Sequence, residues 1–335
     1  MHDKRANFIV QAKVGGSHDM KKVSIINFKG GVGKTTLSLH LAAYLAGQES
    51  NVLVIDVDHQ SSLSIVVLGA KLWEKCVNEQ RTINRVFQSF SNPKKVPMPG
   101  VELIIANAIG ERGRYKNSKT LYPTLDFVSA QFELDDTEID LASTNYGNAN
   151  LSDWDKRTLL ACWLDKINAQ GHYDYVLFDC PPATKIVSQN ALAASDAYII
   201  PVIPDELSSR GVSHFRNLVQ NKIDSKLDYL KTSAQVAPQD VPVNFVPDTR
   251  LAGIVAFLVK HAGRARSGFT NIHTEQIASL RRKWGTDMIQ TIGQNYIAIP
   301  EAVNEGLPVW MFDKTPKAQT MMTKICAELK TRIDQ

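Results

Sequence analysis

The sequence predicts an α/β protein with a doubly wound, mostly parallel sheet flanked by helices. Two observations carry this prediction. Short runs of consecutive apolar residues alternate with helical patterns, and a glycine-rich loop joins the first run to the first helix. Strands covered on both faces need such uninterrupted runs, and their alternation with helices favours right-handed crossovers within one sheet. We therefore expect one domain over 20–335, with surface insertions at about 69–150 and 224–250.

The elements are predicted in chain order from the period of the apolar residues. The predicted strands are 23–26, 52–55, 175–178, 197–200 and 251–259. The predicted helices are 34–45, 71–89, 155–169, 185–194, 207–222, 271–284 and 316–333. Residues 1–19 end in the run Gly15-Gly16-Ser17, so they are expected to form a flexible N-terminal extension outside the domain.

Composition excludes several classes of protein. A chain with 44% hydrophobic and 21% charged residues is neither disordered nor collagen-like. Its four cysteines form no CxxC pair, which disfavours a disulfide framework or a zinc site and fits a cytoplasmic protein. No apolar stretch approaches the roughly 18 residues of a membrane span. The net charge of +4 permits nucleic-acid binding without arguing for it.

The glycine-rich loop predicts a phosphate-binding site. Glycines let backbone N–H groups turn toward phosphate oxygens, and the helix N-terminus adds partial positive charge. Lys34 is placed to reach the β- and γ-phosphates, and the Thr35 hydroxyl to bind Mg²⁺. The residues expected to bind nucleotide here are Gly30, Gly31, Val32, Gly33, Lys34, Thr35 and Thr36. Phe28 breaks the strict GxxxxGK[ST] pattern, so a chance glycine-rich turn is the alternative, which the flanking strand and helix disfavour.

Two acidic segments follow two of the predicted strands. Asp179 comes directly after four apolar residues, which is the Walker B arrangement for a carboxylate that holds Mg²⁺. Asp58 follows the second strand. Its alternative role is to cap a helix, because Ser61 and Ser62 come next.

The loop from Lys29 to Thr36 resembles the deviant Walker A motif of the ParA/MinD family of partition and positioning ATPases. The segment Asp56-Val57-Asp58-His59-Gln60 is similar to the family's D-x-D-P-Q, with histidine in place of proline. Asp179-Cys180-Pro181-Pro182 matches its D-C-P-P.

This resemblance implies a slow, partner-stimulated ATPase that uses ATP and Mg²⁺ and closes an ATP-sandwich homodimer. It implies that Lys29 reaches the partner's phosphates in trans and that Asp58 positions the attacking water. Lys29, Lys34 and Asp58 are then the catalytic residues. The resemblance adds Asp179 and Pro181 to the nucleotide site, and the expected metal-binding residues are Thr35, Asp58 and Asp179.

Two features admit other interpretations. Cys180 could hold an iron–sulfur cluster, as in nitrogenase iron proteins, but no second loop cysteine lies near it. It is therefore expected to be a small buried residue. The last predicted helix carries an apolar stripe that is either a core face or, as in MinD-like relatives, a membrane-binding face. We expect core packing for its members Met321, Met322, Ile325, Leu329 and Ile333.

The closing segment departs from the family pattern. Residues 292–309 resemble I-P-x-x, E-A and G-x-P-[IV], yet Gly293 replaces the usual proline and Gln294 a frequent arginine. Contacts to the nucleotide base are therefore not transferred to individual residues.

Basic residues of the C-terminal half are the candidates for DNA binding. Arg264, Arg266 and the run Arg281-Arg282-Lys283 have few acidic neighbours and are suited to phosphate contacts without sequence preference. Alternatively, the run complements a helix C-terminus.

The family resemblance implies non-specific DNA binding by the ATP-bound dimer, a ParB-like adaptor protein and a nucleoid-associated location in the cytoplasm, with no membrane contact. The resemblance leaves two alternatives open. One is a MinD-like positioning ATPase at a membrane, and the other is a nucleotide-gated scaffold for a protein cargo that needs no DNA.

Overall fold

The computed structural model describes residues 19–109, 122–206, 208–260, 270–312 and 315–335. Its centre is a six-stranded parallel sheet of order β3-β2-β4-β1-β5-β6, which confirms the predicted fold class. The strands are β1 (Lys21–Ile25), β2 (Val52–Asp56), β3 (Leu125–Val128), β4 (Tyr175–Asp179), β5 (Ala197–Val202) and β6 (Arg250–Ala256). The helices are α1 (Lys34–Ala46), α2 (Ser62–Leu68), α3 (Ala70–Asn78), α4 (Asn84–Ser91), α5 (Leu134–Ser143), α6 (Ala149–Asp155), α7 (Leu159–Lys166), α8 (Ala169–His172), α9 (Ile186–Ala193), α10 (Ser208–Leu218), α11 (Ser225–Ser233), α12 (Asn271–Trp284), α13 (Ala298–Asn304) and α14 (Pro316–Ile333).

A hydrophobic core lies on each face of the sheet. Successive strand residues point to opposite faces, so Val176 and Phe178 enter one core while Tyr175 and Leu177 enter the other. Helices α1, α2, α13 and α14 cover the second face, and most of the remaining helices cover the first. This two-sided burial explains why the strands contain runs of apolar residues without polar alternation.

The apolar stripe of α14 lies in the core, as predicted. Met322, Ile325 and Leu329 are fully buried, and the helix packs against α1 and β6. Over the described ranges, no helix combines the length and the apolar character that crossing a membrane requires.

The segment 69–150 differs from the predicted surface insertion. It supplies β3, the edge strand beside β2, together with helices α3 to α5 and the first two residues of α6. The predicted helix 71–89 is two helices, because Gln80 takes a left-handed conformation (φ 55°) and Arg81 turns back to bond the Cys76 carbonyl. Likewise, 155–169 contains separate helices, and β6 ends at Ala256, before Leu258 with its φ of 56°. Of the predicted N-terminal extension, 1–18 lies outside the described residues.

Candidate nucleotide-binding site

The central strands bring the predicted motifs to one edge of the sheet. In the parallel register Asp179 lies beside Ile25 of β1 and beside Asp56 of β2. The phosphate loop leaves β1 at this same edge and leads into α1. Segments more than a hundred residues apart in the chain therefore form one site at the carboxyl ends of the strands, where open α/β sheets bind ligands.

The phosphate loop presents unused backbone donors. Gly31 and Gly33 have φ values of 70° and 92°, a left-handed conformation that suits glycine. Helix α1 begins at Lys34 without a side-chain cap or an acidic residue in its first turn. Its first N–H groups consequently have no partner within the helix and are available to an anion.

Lys34 is the buried cation of the site. Its side chain is 7% exposed, and its Nζ lies 3.4 Å from the carbonyl oxygen of Lys29. Burial lowers the pKa of Lys34, while the carboxylates of Asp179 and Asp58 oppose that shift. A desolvated ammonium facing the loop interacts with a bound phosphate more strongly than a solvated one.

Asp179 is held by two residues of α1. Its carboxylate accepts hydrogen bonds from Thr35 Oγ1 at 3.0 Å and from Ser38 Oγ at 2.8 Å. Complete burial raises the pKa of Asp179 to about 7. Hydroxyl and carboxylate oxygens are the ligands that Mg²⁺ prefers, so Thr35 and Asp179 fit the predicted ion. Ser38 was not predicted, although it lies one helical turn beyond Lys34 on the same face.

A second carboxylate, Asp56, organises the loop that carries Asp58. Asp56 is fully buried and accepts hydrogen bonds from Asp58 N, Ser64 N and Ser64 Oγ at 2.7 to 3.0 Å. Asp58 in turn accepts the N–H of Gln60 at 2.9 Å, and His59 Nδ1 lies 3.8 Å from its carboxylate. These bonds give Asp58 a fixed position facing the phosphate loop, despite the loss of the proline that the family pattern has at position 59.

A cavity of about 480 Å³ lies between these groups. It is lined by Gly30, Gly31, Gly33, Lys34, Thr35, Thr36, Asp58, Gln60, Ser62, Val66, Pro182, Leu258, Pro300 and Val303. Pro182 rather than the predicted Pro181 forms the wall, and Val32 is buried behind the loop. Cys180 is fully buried, as expected for a packing residue. The apolar side opposite the phosphate loop comes from Leu258, Pro300 and Val303, none of which the sequence pattern indicated.

Lys29 does not line this cavity. Its ammonium forms an ion pair with Asp205, in the loop between β5 and α10. Asp205 also accepts hydrogen bonds from the N–H and hydroxyl of Ser208 at the start of α10, at 2.9 and 2.8 Å. The lysine of the deviant motif is thus tied to the beginning of α10 in this single chain.

Phe257 joins the phosphate loop to the closing segment. It is 1% exposed, and its ring lies against the bare Cα atoms of Gly33 on one side and Gly293 on the other. A Cβ at either glycine would overlap the ring. Hydrogen bonds from Gly293 N to Ala256 O and from Val259 N to Gly293 O fix the segment, at 2.8 and 3.0 Å. Glycine in place of the usual proline therefore makes room for this aromatic ring.

His40 makes a second connection between the two regions. Its Nδ1 donates to the carbonyl of Thr36 at 2.7 Å, and its Nε2 accepts the N–H of Val309 at 3.0 Å. This pattern requires a neutral ring, and complete burial lowers the pKa of His40 to about 4. The sequence did not identify His40, because both of its hydrogen-bond partners are backbone groups, which form no recognisable sequence motif.

The predicted DNA-binding residues are described only in part. Arg281, Arg282 and Lys283 are exposed at the end of α12, while Arg264 and Arg266 lie outside the described residues. Arg281 donates to the carbonyl of Gln290 at 2.8 Å, and the ammonium of Lys283 lies 5.4 Å from the ring centre of Trp284.

Comparisons with known proteins find similar sequences and similar folds. Residues 20–232 match the family described as AAA domain (AAA_31). The chromosome partitioning protein ParA of Caulobacter vibrioides is 24% identical over 317 residues, covering 94% of this chain and 96% of the relative. The ATP complex of a McdA variant from Cyanothece shares the fold with a TM-score of 0.63 at 18% identity, over 94% of this chain and 98% of that one. The structure of pNOB8 ParA bound to nonspecific DNA has a TM-score of 0.57 at 17% identity, over 94% and 99%.

Proposed function

The chain belongs to the AAA_31 family of AAA domains and is a P-loop ATPase of the ParA/Soj type. On this basis we propose that the protein is a molecular switch driven by ATP binding and hydrolysis. It hydrolyses ATP slowly, closes an ATP-sandwich homodimer, binds DNA without sequence preference and positions plasmid or chromosomal DNA with a ParB-like adaptor. The observation that carries the proposal is the convergence of Lys34, the Thr35–Asp179 pair and Asp58 on one cavity beside the free N-terminus of α1.

Each group has a distinct task in the proposed chemistry. The N–H groups of the loop and Lys34 hold the phosphates of ATP, and Thr35 and Asp179 hold Mg²⁺. Bound Mg²⁺ neutralises charge that develops on the transferred phosphoryl group. Asp58 orients the attacking water, since its carboxylate faces the loop and is fixed through Asp56 and Gln60. The N–H of Gln60 and the ring of His59 both approach Oδ1 of Asp58, which leaves Oδ2 to accept a hydrogen bond from the water.

Lys29 supplies the link to dimerisation in this proposal. It leaves Asp205 and contacts the phosphates bound by the partner, where a cation stabilises the transition state as an arginine finger does. The Lys29–Asp205 pair is half exposed on the lysine side, so its loss costs less than about 1 kcal/mol and a phosphate easily replaces the carboxylate. The monomer therefore holds the lysine within reach of the dimer face at little energetic cost.

The proposed DNA surface includes a residue that the sequence did not indicate. Arg216 near the end of α10 lies 6.0 Å from the ring centre of Trp284 and forms an ion pair with Asp287 at 3.1 Å. Together with Lys283 it places two cationic side chains against that tryptophan. Helix α10 begins at the loop that binds Lys29, so one helix connects the signature lysine to this surface. The DNA complex of the structurally similar pNOB8 ParA supports a DNA-binding role.

Of the two alternatives, the membrane-binding one loses its main support. The apolar stripe of α14 is buried against α1 and β6 and is not available to a lipid surface. A scaffold that needs no DNA remains the competing function. ATP-dependent retardation of random-sequence DNA, weakening steeply between low and physiological salt, is expected for the DNA-binding switch. Absence of retardation at low salt with an intact ATP-dependent dimer would establish the scaffold instead.

Two variants test the assigned roles in the ATPase cycle. Asp58→Ala is expected to bind ATP and accumulate the dimer while hydrolysis falls at least about a hundredfold, because the attacking water loses its acceptor. Lys29→Ala is expected to bind ATP as a monomer, with no dimer in size-exclusion chromatography. Normal turnover by Asp58→Ala removes that residue from the mechanism, and an ATP-dependent dimer of Lys29→Ala does the same for the lysine.

A further inference from the structure

A second cavity, here termed the α14 cavity, lies between the start of the closing segment and the first half of α14. Its volume is about 440 Å³, close to that of the nucleotide cavity, and the two cavities share no lining residue. Its walls are mostly apolar and include Ile292, Tyr296, Pro316 and Met321. Cavities of this size with apolar walls and a few polar groups are typical of sites for small organic molecules.

The charged residues of the α14 cavity are two lysines. Lys317 and Lys324 line it from exposed positions seven residues apart, with Thr320 between them on the same side of the helix. Neither lysine forms an ion pair with a described residue. The other end of α14 differs, since Lys330 pairs there with Asp334. The cavity therefore carries two positive charges that the described part of the chain does not neutralise.

The acidic residue next to these lysines is engaged elsewhere. Glu328 follows Lys324 by four residues, the usual spacing of an ion pair on a helix. Its carboxylate instead accepts hydrogen bonds from the backbone N–H groups of Gln290 and Thr291, at 2.7 and 3.0 Å. These bonds fix the start of the closing segment against α14 and leave the ammonium of Lys324 to an anion from solution.

The α14 cavity contacts the segment that reaches the phosphate loop. Ile292 and Gln294 line it on either side of Gly293, whose Cα lies against one edge of the Phe257 ring. The other edge of that ring lies against Gly33. A molecule in the cavity therefore contacts both neighbours of Gly293, and one aromatic ring connects that glycine to the phosphate loop.

We propose that the α14 cavity binds a small phosphate monoester with an apolar ring, and that its occupation strengthens ATP binding. The ring packs on Tyr296 and Met321. The two lysines and the Thr320 hydroxyl hold the phosphate, whose two negative charges match theirs. A bound molecule fixes the closing segment against α14, so less of that segment is left for ATP to order. The site itself goes beyond the proposed function, and only its effect on ATP rests on that function.

The first test is binding of 1-naphthyl phosphate, measured by isothermal titration with ADP and Mg²⁺ saturating the nucleotide site. The double variant Lys317→Glu/Lys324→Glu should weaken binding at least about tenfold. Its control, Lys71→Glu/Lys94→Glu, makes the same charge change at two other exposed lysines and should bind as the wild type does. No binding by the wild type, or equal affinities of the two double variants, overturns the proposal.

A second pair of variants separates the cavity from general attraction to positive charge. Thr320→Trp fills the cavity, whereas Thr323→Trp puts the same side chain at an exposed position of α14 that does not line it. Only the first should weaken binding, again at least about tenfold. Inorganic phosphate and 1-naphthol each lack half of the ligand and should bind the wild type at least about tenfold more weakly. Inorganic phosphate that binds as tightly as the monoester overturns the role of the ring.

The effect on nucleotide is measured separately. Saturating 1-naphthyl phosphate should raise the ATP affinity of the wild type several-fold, and saturating ATP should raise the affinity for the monoester by the same factor. Phe257→Leu should bind the monoester as the wild type does but lose this coupling. An ATP affinity that the monoester leaves unchanged in the wild type overturns the proposed effect on ATP.

Two further outcomes are distinguishable from these. The lysines belong to a DNA-binding surface if Lys317→Glu/Lys324→Glu abolishes retardation of random-sequence DNA while Thr320→Trp leaves monoester binding unchanged. That result overturns the inference. If the chain binds the monoester through the α14 cavity yet binds no ATP, the site stands and the proposed function fails.

Discussion

The phosphate-loop region, residues 29–64 with Asp179, and the closing region, residues 250–309, form opposite walls of the same cavity by different means. In the first, charged groups are fixed by short hydrogen bonds at the ends of neighbouring strands, such as Thr35 to Asp179. In the second, backbone segments are fixed by packing and by single long-range contacts, such as Phe257 between two glycines. The phosphate-loop region matches the family motifs closely. The closing region departs from them, and the packing of Phe257 against Gly293 fills the place of the usual proline.

The largest effect is expected on the electrostatic side. Lys34→Ala removes the buried cation of the phosphate loop, and ATP affinity should fall at least about a thousandfold, or 4 kcal/mol. Isothermal titration with ATP measures this change. Lys29→Ala is the matched control, because it removes a lysine from the same loop whose ammonium pairs with Asp205 instead. Comparable losses in the two variants would show that Lys34 has no special place in the site.

A pH dependence of stability is expected where the two walls meet. The pKa of His40 is about 4 in the folded protein against 6.5 for the unfolded residue. As the pH falls, His40 is therefore protonated in the unfolded chain before it is protonated in the folded one. The free energy of unfolding should fall by about 3 kcal/mol between about pH 7 and pH 4 because of this residue. Chemical denaturation at both pH values measures it. His40→Gln should lack that part of the decrease, and an unchanged pH dependence in this variant contradicts the assignment.

The smallest expected effect tests whether Phe257, in the closing region, positions the phosphate loop or only fills the core. Phe257→Leu leaves space beside Gly33, so the phosphate loop loses support and ATP affinity should fall about tenfold, or 1.4 kcal/mol. Phe127→Leu is the control, since Phe127 is equally buried in the same core and lies in β3. Both variants should lose about 1 kcal/mol of unfolding free energy.

ATP affinity measured well below the melting temperature separates the two phenylalanines. A merely structural role for Phe257 predicts the same affinity in both variants. Gly293→Ala sharpens the comparison further. Its added methyl group overlaps the Phe257 ring, so the single variant should also lose ATP affinity. The double variant Gly293→Ala/Phe257→Leu removes this overlap and should recover part of that loss.

Local patterns predicted most of the sheet and the glycine-rich loop that follows its first strand. Five of the six strands and the bounds of α12 and α14 agree with the apolar periodicity. Strand β3 escaped prediction because Leu125–Val128 is only four residues long and includes an aspartate. Asp126 is tolerated there because its carboxylate accepts a hydrogen bond from Tyr173 at 2.8 Å. Short edge strands carry too little periodic signal to be recognised without their partner.

The sequence by itself determined the fold class and the positions of the phosphate loop and of the proposed Mg²⁺-binding residues, because these depend on contiguous motifs at strand ends. Only the tertiary structure decided which distant groups complete the site. Asp205 holds Lys29 from 176 positions away, His40 reaches Val309 across 269, and Phe257 fits between Gly33 and Gly293. Such contacts arise from chain folding and side-chain shape, and neither leaves a periodic trace in the sequence.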